Sequence, residues 1–320
     1  MVSACGFERW ARSRDIVSAC GFQRWARSRD IVSACGMTDV RSDGTSENAT
    51  ATSENSTATS GNSTARSGGT PENIADPRLR AYETEAVVLR TYKLGEADRI
   101  VVVLTQDHGK VRAVAKGVRK TRSKFGSRLE PASHVRVQLY RGRGDLDTVT
   151  GVESASDLSS IRSDLDRLTA AAGMLEAVDY ITPDKESNPV VFKMLVGALG
   201  VVADTNPPLA LAGFFWKLLA AEGYHPVLNR CVGCGGTPGD GSVLVSLDFD
   251  DGGMRCVECR RGRSVSADTL DMMRLMLGGH LNVALELPAS PAASEALSLS
   301  IHAVEFHLER ALRSVRVLSD

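Results

Sequence analysis

What most constrains this chain is a change in the spacing of its apolar residues near Glu153. Upstream, the pattern is that of short strands. TEAVVLRTYK (84–93), RIVVVLT (99–105) and KVRAVAKG (110–117) are β-branched apolar runs. From His134 to Tyr140 the sequence alternates, with Val135, Val137 and Leu139 on one face and His134, Arg136, Gln138 and Tyr140 on the other. Asp107-His108-Gly109 and Arg141-Gly142-Arg143-Gly144 read as turns, the second leading into LDTVTGV (146–152). Five strands in so short a span predict a small closed or nearly closed barrel.

Downstream the spacing is helical. Leu158, Ile161, Leu165, Leu168, Ala172 and Leu175 step by three and four, which predicts one amphipathic helix. Pro183 and Pro189 close it and open a second helix carrying Val190, Met194, Leu195, Ala198 and Val202. Pro207-Pro208 then opens LALAGFFWKLLAAEG, with Gly223 suited to its end. Phe214, Phe215, Trp216, Leu218 and Leu219 make it the most apolar helix, expected at the centre of a bundle. A second reading gives part of that aromatic surface to a groove for a partner peptide. Ser266 caps a helix with Leu270, Met273 and Leu277, ended by Gly278-Gly279. Ser290-Pro291 opens the last one, with Leu297, Ile301, Val304, Leu308 and Leu312 on one face.

Charge is distributed unevenly. The formal net charge is only -1, but from Arg78 to Gly151 sixteen Lys and Arg face eight Asp and Glu. Half of those cations lie in KVRAVAKGVRKTRSKFGSR: Lys110, Arg112, Lys116, Arg119, Lys120, Arg122, Lys124 and Arg128, with no acid between them. Like charges at this density repel one another and call for a polyanion. A phosphate backbone supplies one, and release of its condensed counterions provides the affinity. Phe125 inside the run is placed to stack on an unpaired base. The alternative is a solvated basic loop with no ligand. Arg90, Lys93 and Arg99 on the strands and Arg141 and Arg143 on a hairpin extend the candidate surface. A basic five-stranded barrel predicts an oligonucleotide-binding (OB) fold.

Cys231-Val-Gly-Cys234 and Cys256-Val-Glu-Cys259 carry the strongest local chemistry. Two intervening residues let both thiolates of a pair reach one ion, and four thiolates complete a tetrahedron around Zn2+. Val243 to Phe249 reads as a strand between the pairs, with a turn at Asp250–Gly253, so a zinc-ribbon-like hairpin is expected. The set is closed, which makes the ion structural. A redox dithiol and four buried thiols that bind nothing are the other readings. Arg255, Arg260, Arg261 and Arg263 flank the second pair and either reach phosphate or solvate the surface.

The expected architecture is therefore α+β: an N-terminal OB-fold β-barrel (78–155), then an α-helical domain (156–320) with an inserted four-cysteine module (226–263). Residues 2–36 hold a tandem repeat, VSACGFERWARSRDI and VSACGFQRWARSRDI followed by VSACG. It reads as translated upstream sequence, with Met37 as the expected start, and Cys5, Cys20 and Cys35 recur only because the repeat does. Residues 37–77 are rich in Ser, Thr, Asn and Gly and predict disorder.

There is no Walker loop, no G-x-S-x-G, no HExxH and no deaminase pattern, so an enzyme is not expected. Glu96 and Asp98 are explained by salt bridges to Arg99 or Lys93. No apolar run reaches the length of a membrane span and no secretory signal is evident, so a cytoplasmic, nucleoid-associated protein without membrane contact is expected.

From about Tyr82 onward the chain resembles the bacterial recombination mediator family RecO. The resemblance rests on AVVLRTYKLGEADRIVVVLTQDHGKVRAVAKGVRK, SKFGSRLEP, QLYRGRGDL, EGYHPVLNRCVGCG and GGMRCVEC, in that order. It implies a protein that binds ssDNA and dsDNA and anneals complementary strands. It implies work with RecR to load RecA onto strands coated by single-strand-binding protein, whose acidic C-terminal tail is a further partner, with RecF possible. A zinc-ribbon transcription or ribosome-associated factor is the competing class. It would be basic and cysteine-paired too, but would not anneal strands.

Overall fold

The computed structural model describes residues 80–120, 123–142 and 144–316. The tandem repeat, the Ser/Thr/Asn-rich segment, Arg122 and Arg143 lie outside the described residues.

Five strands form a closed barrel: β1 (Ala81–Leu94), β2 (Asp98–Thr105), β3 (Gly109–Ala115), β4 (His134–Tyr140) and β5 (Asp147–Ser154), in the order β1-β2-β3-β5-β4. All neighbours are antiparallel except β3 and β5, which pair in parallel through Ala113–Asp147 and Val114–Thr148. This is the expected OB-like barrel. Ala86, Val88, Val101, Val103, Val135, Val137 and Leu139 fill its interior. On the outside, Val87, Leu89, Val102 and Leu104 join the core of the helical region. Both faces of β1 and β2 are thus buried at one end, and for that reason AVVL and VVVL run without alternation. β4 has one wet face, with Arg136 and Gln138 exposed; His134 departs from it, buried with its ring centroid 6.1 Å from that of Phe192.

β1 carries a bulge at Leu89. Val88 opposes Val103, but Arg90 opposes Val102, so one extra residue is accommodated between them.

The helices are α1 (Leu165–Ile181), α2 (Pro189–Asp204), α3 (Ala210–Ala221), α4 (Ala267–Leu277), α5 (Leu281–Ala284) and α6 (Pro291–Leu308). The single helix expected from Leu158 begins later. Asp164 caps it, accepting a hydrogen bond from the Arg167 N–H at 2.9 Å, and Ile161 lies in a separate 3-10 turn. Leu165 and Leu168, read as core, are 76% and 41% exposed. The buried face is made of Ala170, Ala171, Gly173, Met174, Ala177 and Val178. Small residues win there because the chain packs closely: a Cβ on Gly173 would lie 2.6 Å from a Val315 methyl.

Asn188, Ser266 and Ser290 cap α2, α4 and α6, each through its side-chain oxygen. The helix α3 is central. Phe214, Phe215 and Trp216 are at most 2% exposed, so these aromatics are core and line no groove for a peptide. Between α3 and α4, β6 (Leu244–Asp248) pairs with β7 (Gly253–Cys256) and β8 (Arg263–Ser264). Leu244, Leu247, Met254, Cys231 and Cys256 of this module belong to the helical core, which anchors the module to the bundle. Among the described residues no helix is long and apolar enough to cross a membrane.

Candidate nucleic-acid interface and metal centre

The basic residues divide into two sets. The first faces the helical region. Lys110 is buried; its Nζ donates to the Asp179 carbonyl at 2.6 Å and lies 3.4 Å from carboxylate oxygens of both Asp179 and Asp184. Arg90 pairs with Asp179 at 2.9 Å and Arg112 with Asp184 at 2.9 Å. Asp179 is itself buried near the end of α1. These cations of β1 and β3 thus clamp the barrel to the α1–α2 connection, which also adds main-chain contacts: the Lys185 N–H donates to the Lys110 carbonyl at 3.0 Å. Glycine is required at position 109, with φ +68°, because a Cβ there would lie 2.1 Å from the Glu186 carbonyl oxygen. Asp179 and Asp184 were not singled out in the sequence, where nothing local links them to residues about seventy positions upstream.

The second set is solvent-facing. Lys93, Lys116, Arg119, Lys120, Lys124, Arg128 and Arg141 are all exposed. Arg119 is braced on the β1–β2 hairpin, its Nη1 donating to the Glu96 carbonyl at 2.9 Å. The same turn is held from below by Asp98, which accepts from the Gly117 N–H at 2.7 Å. Asp98 therefore fixes the basic turn, and Arg99 pairs with Glu130 at 2.7 Å, in place of the salt bridges expected around Glu96 and Asp98. The Arg141 guanidinium sits 5.2 Å from the centre of the Tyr82 ring, whose hydroxyl donates to Asp147. Lys124 reaches the Thr150 carbonyl at 3.0 Å. Arg128 shares a 340 Å³ hollow with Arg162, Ser133, His134 and Ser156.

Phe125 does not stack outward. It is 2% exposed and plugs the barrel interior together with Leu129. An aromatic flanked by cations on a short segment is pulled inward by the apolar opening of the barrel, which is a larger reward than partial exposure.

The four cysteines converge. Their sulfurs lie within 4.8 Å of one another, and Cys234 and Cys256 are 3.7 Å apart. A tetrahedral zinc site with bonds of about 2.3 Å puts its sulfurs about 3.8 Å apart, so the set fits the ion. Among the described residues it is the one such cluster. Gly233 permits the approach of the two turns, since a Cβ there would come 3.3 Å from the Cys259 sulfur and 2.7 Å from the Arg255 guanidinium. Burial pushes the Cys231 thiol up, but N–H donors of Cys234, Cys256 and Gly233 outweigh it and hold its pKa at about 6. The Cys256 thiol is pushed the other way, up to about 12, by its hydrogen bond with Glu258 first, so of these two it is Cys231 that carries the thiolate a metal takes.

The arginines around this module are engaged. Arg255 donates to Asp248 at 2.7 Å and reaches Asp251; Arg261 donates to Asp250 at 2.7 Å. Burial raises the Asp248 carboxyl, yet Arg255 and Arg261 hold it below the usual carboxylate range. Arg260 bonds Ser264 and Arg263 bonds His302.

Residues 79–157 match the family described as Recombination protein O N terminal, and residues 162–316 match Recombination protein O C terminal. A "DNA repair protein RecO" of Frankia casuarinae is 44% identical over 243 residues, which are 74% of this chain and 98% of that protein. With a basic OB-like barrel, a helical bundle and a clustered cysteine module in the same order, this chain belongs to the recombination protein O family.

Proposed function

We propose that this chain is a recombination mediator that acts by holding DNA and makes or breaks no bonds. Residues 78–155 are its DNA-binding unit. The observation that carries the reading is that Lys93, Lys116, Arg119, Lys120, Lys124, Arg128 and Arg141, on the barrel strands and their connections, are all exposed. Arg122 and Arg143 extend it in sequence. Lys110, Arg90 and Arg112 are assigned instead to the clamp on the helical region, because carboxylates already occupy them. Two strands held on one basic face repel each other less and pair faster. Contacts to backbone phosphates make binding insensitive to sequence and steeply dependent on salt.

In this reading the protein binds ssDNA and dsDNA, anneals complementary strands, and with RecR helps load RecA onto strands coated by single-strand-binding protein. It works in the cytoplasm at the nucleoid, and the acidic tail of single-strand-binding protein is a further contact. Cys231, Cys234, Cys256 and Cys259 would hold Zn2+ as a structural ion that fixes the module on the bundle. The competing reading, a zinc-ribbon reader of nucleic acid, is set aside because Arg255 and Arg261 beside the cysteines are neutralised by Asp248, Asp250 and Asp251.

The test is annealing of two complementary strands coated with the cognate single-strand-binding protein. Acceleration by the full chain, abolished when Lys116, Arg119 and Lys120 are all changed to Glu, supports the reading. Tight DNA binding without acceleration overturns the mediator assignment. Unchanged annealing by the triple variant overturns this surface.

A further inference from the structure

With Phe125 in the core, the basic surface lacks the aromatic that sequence assigned to it, and the barrel offers another. Tyr92, in the protruding half of β1, is 45% exposed. Its orientation comes from the bulge at Leu89. In the first half of β1, Ala86 and Val88 point into the barrel, and unbroken alternation would send position 92 the same way. The extra residue inverts the alternation, so Tyr92 stands opposite Ile100 on the outer face. Ile100 in turn opposes Val114, and both are partly exposed. The result is a short apolar row across three strands, ending in the aromatic ring.

One exposed lysine borders the row, and two arginines beside it are already paired with carboxylates. Arg112 and Lys116 lie two residues either side of Val114, and alternation along β3 puts Arg112 on the same face. Arg90 lies 5.1 Å from the centre of the Tyr92 ring, and Asp179 holds that guanidinium in place. Tyr92 is therefore fixed by an arginine that is itself anchored, and binding would cost little side-chain ordering. An apolar face alone would say nothing about its occupant, but this one is bordered by the exposed Lys116 and by the turn after it with the exposed Arg119 and Lys120, and that edge fits a polyanion that also carries flat apolar faces. Single-stranded nucleic acid has both properties. A duplex has only the first, because its bases are stacked on each other.

We propose that Tyr92, supported by Ile100 and Val114, is a stacking platform for an unpaired base and gives the barrel its preference for single strands. The proposal rests on the DNA-binding reading and deepens it. It separates two jobs: the lysines and arginines hold phosphates of either form, and Tyr92 recognises only bases that have left a helix.

The experiment measures binding of the full chain to a fluorescein-labelled single strand and to the duplex of the same sequence, across a salt series. Tyr92→Ala should weaken single-strand binding about tenfold, as expected for one lost stacking contact. Duplex affinity and both salt slopes should stay at wild-type values. Tyr92→Phe and Tyr92→Trp should restore single-strand binding, whereas Tyr92→Leu, which keeps apolar bulk and guards against a folding defect, should not. Equal losses on both forms, rescue by Leu, or unchanged single-strand affinity would each overturn the platform. Failure of the wild-type chain to bind either form would overturn the DNA-binding reading itself, and the platform with it.

Discussion

Lys110 is the residue on which sequence and structure part most sharply, and Lys110→Met tests the difference. Its side chain is 9% exposed and faces Asp179, which is 4% exposed, and Asp184. Removing one partner of a buried pair costs about 3–5 kcal/mol because the other charge is left uncompensated. Here Asp179 keeps Arg90 at 2.9 Å and Asp184 keeps Arg112 at 2.9 Å, so the low end applies. A loss of about 3 kcal/mol, or roughly 6–12 °C in Tm for a body of this size, is expected by urea and thermal unfolding. DNA binding supplies the second readout. A lysine on a phosphate contributes about 0.7 to the log–log salt slope on a single strand. Lys110→Met should leave the slope unchanged, and Lys116→Met should lower it. A stable Lys110→Met protein with a reduced slope would show that Lys110 faces DNA and that the clamp is wrong.

Three further outcomes are expected. One zinc per chain should be measured by elemental analysis, and a thiol-reactive agent or Cys234→Ser should raise hydrogen exchange in residues 227–264 while exchange in the barrel strands is unchanged. Burial, the largest influence, holds the His134 pKa below its ordinary value against the pull of Glu85. The unfolded chain then binds more protons near and below pH about 6.5, so stability should fall as pH drops through that range, and His134→Gln should flatten this component of the pH profile. Phe214→Ala, at a position with no exposure, should cost about 3–5 kcal/mol, whereas Leu165→Ser, at 76% exposure, should change stability by less than about 0.5 kcal/mol.

Much of the candidate site was legible in order along the chain. The cysteine pairs could be read because two residues of spacing suffice to bring both sulfurs to one ion, and the module's strand between them follows from local alternation. The helix starts read at Ser266 and Ser290 are equally local, since each side chain reaches only three residues ahead. The start of α1 was misread because the apolar steps run straight through Asp164, and a period counts residues without asking which of them terminates a helix. The cations of KVRAVAKGVRKTRSKFGSR looked alike in sequence. Only their partners separate them, and for Lys110 the partner is 69 residues away.

By itself, then, the sequence determined the kinds of element and their order, the charge excess of the barrel, the four cysteines that cluster and the family. These depend on spacing between near neighbours or on composition. Tertiary structure alone decided which cations meet water and which meet Asp179 and Asp184. It also turned Phe125 inward and Tyr92 outward. The reason is that a side chain's environment is set by what packs across from it. A single bulge at Leu89, which leaves no mark on composition, reverses the face of every residue that follows it in the strand.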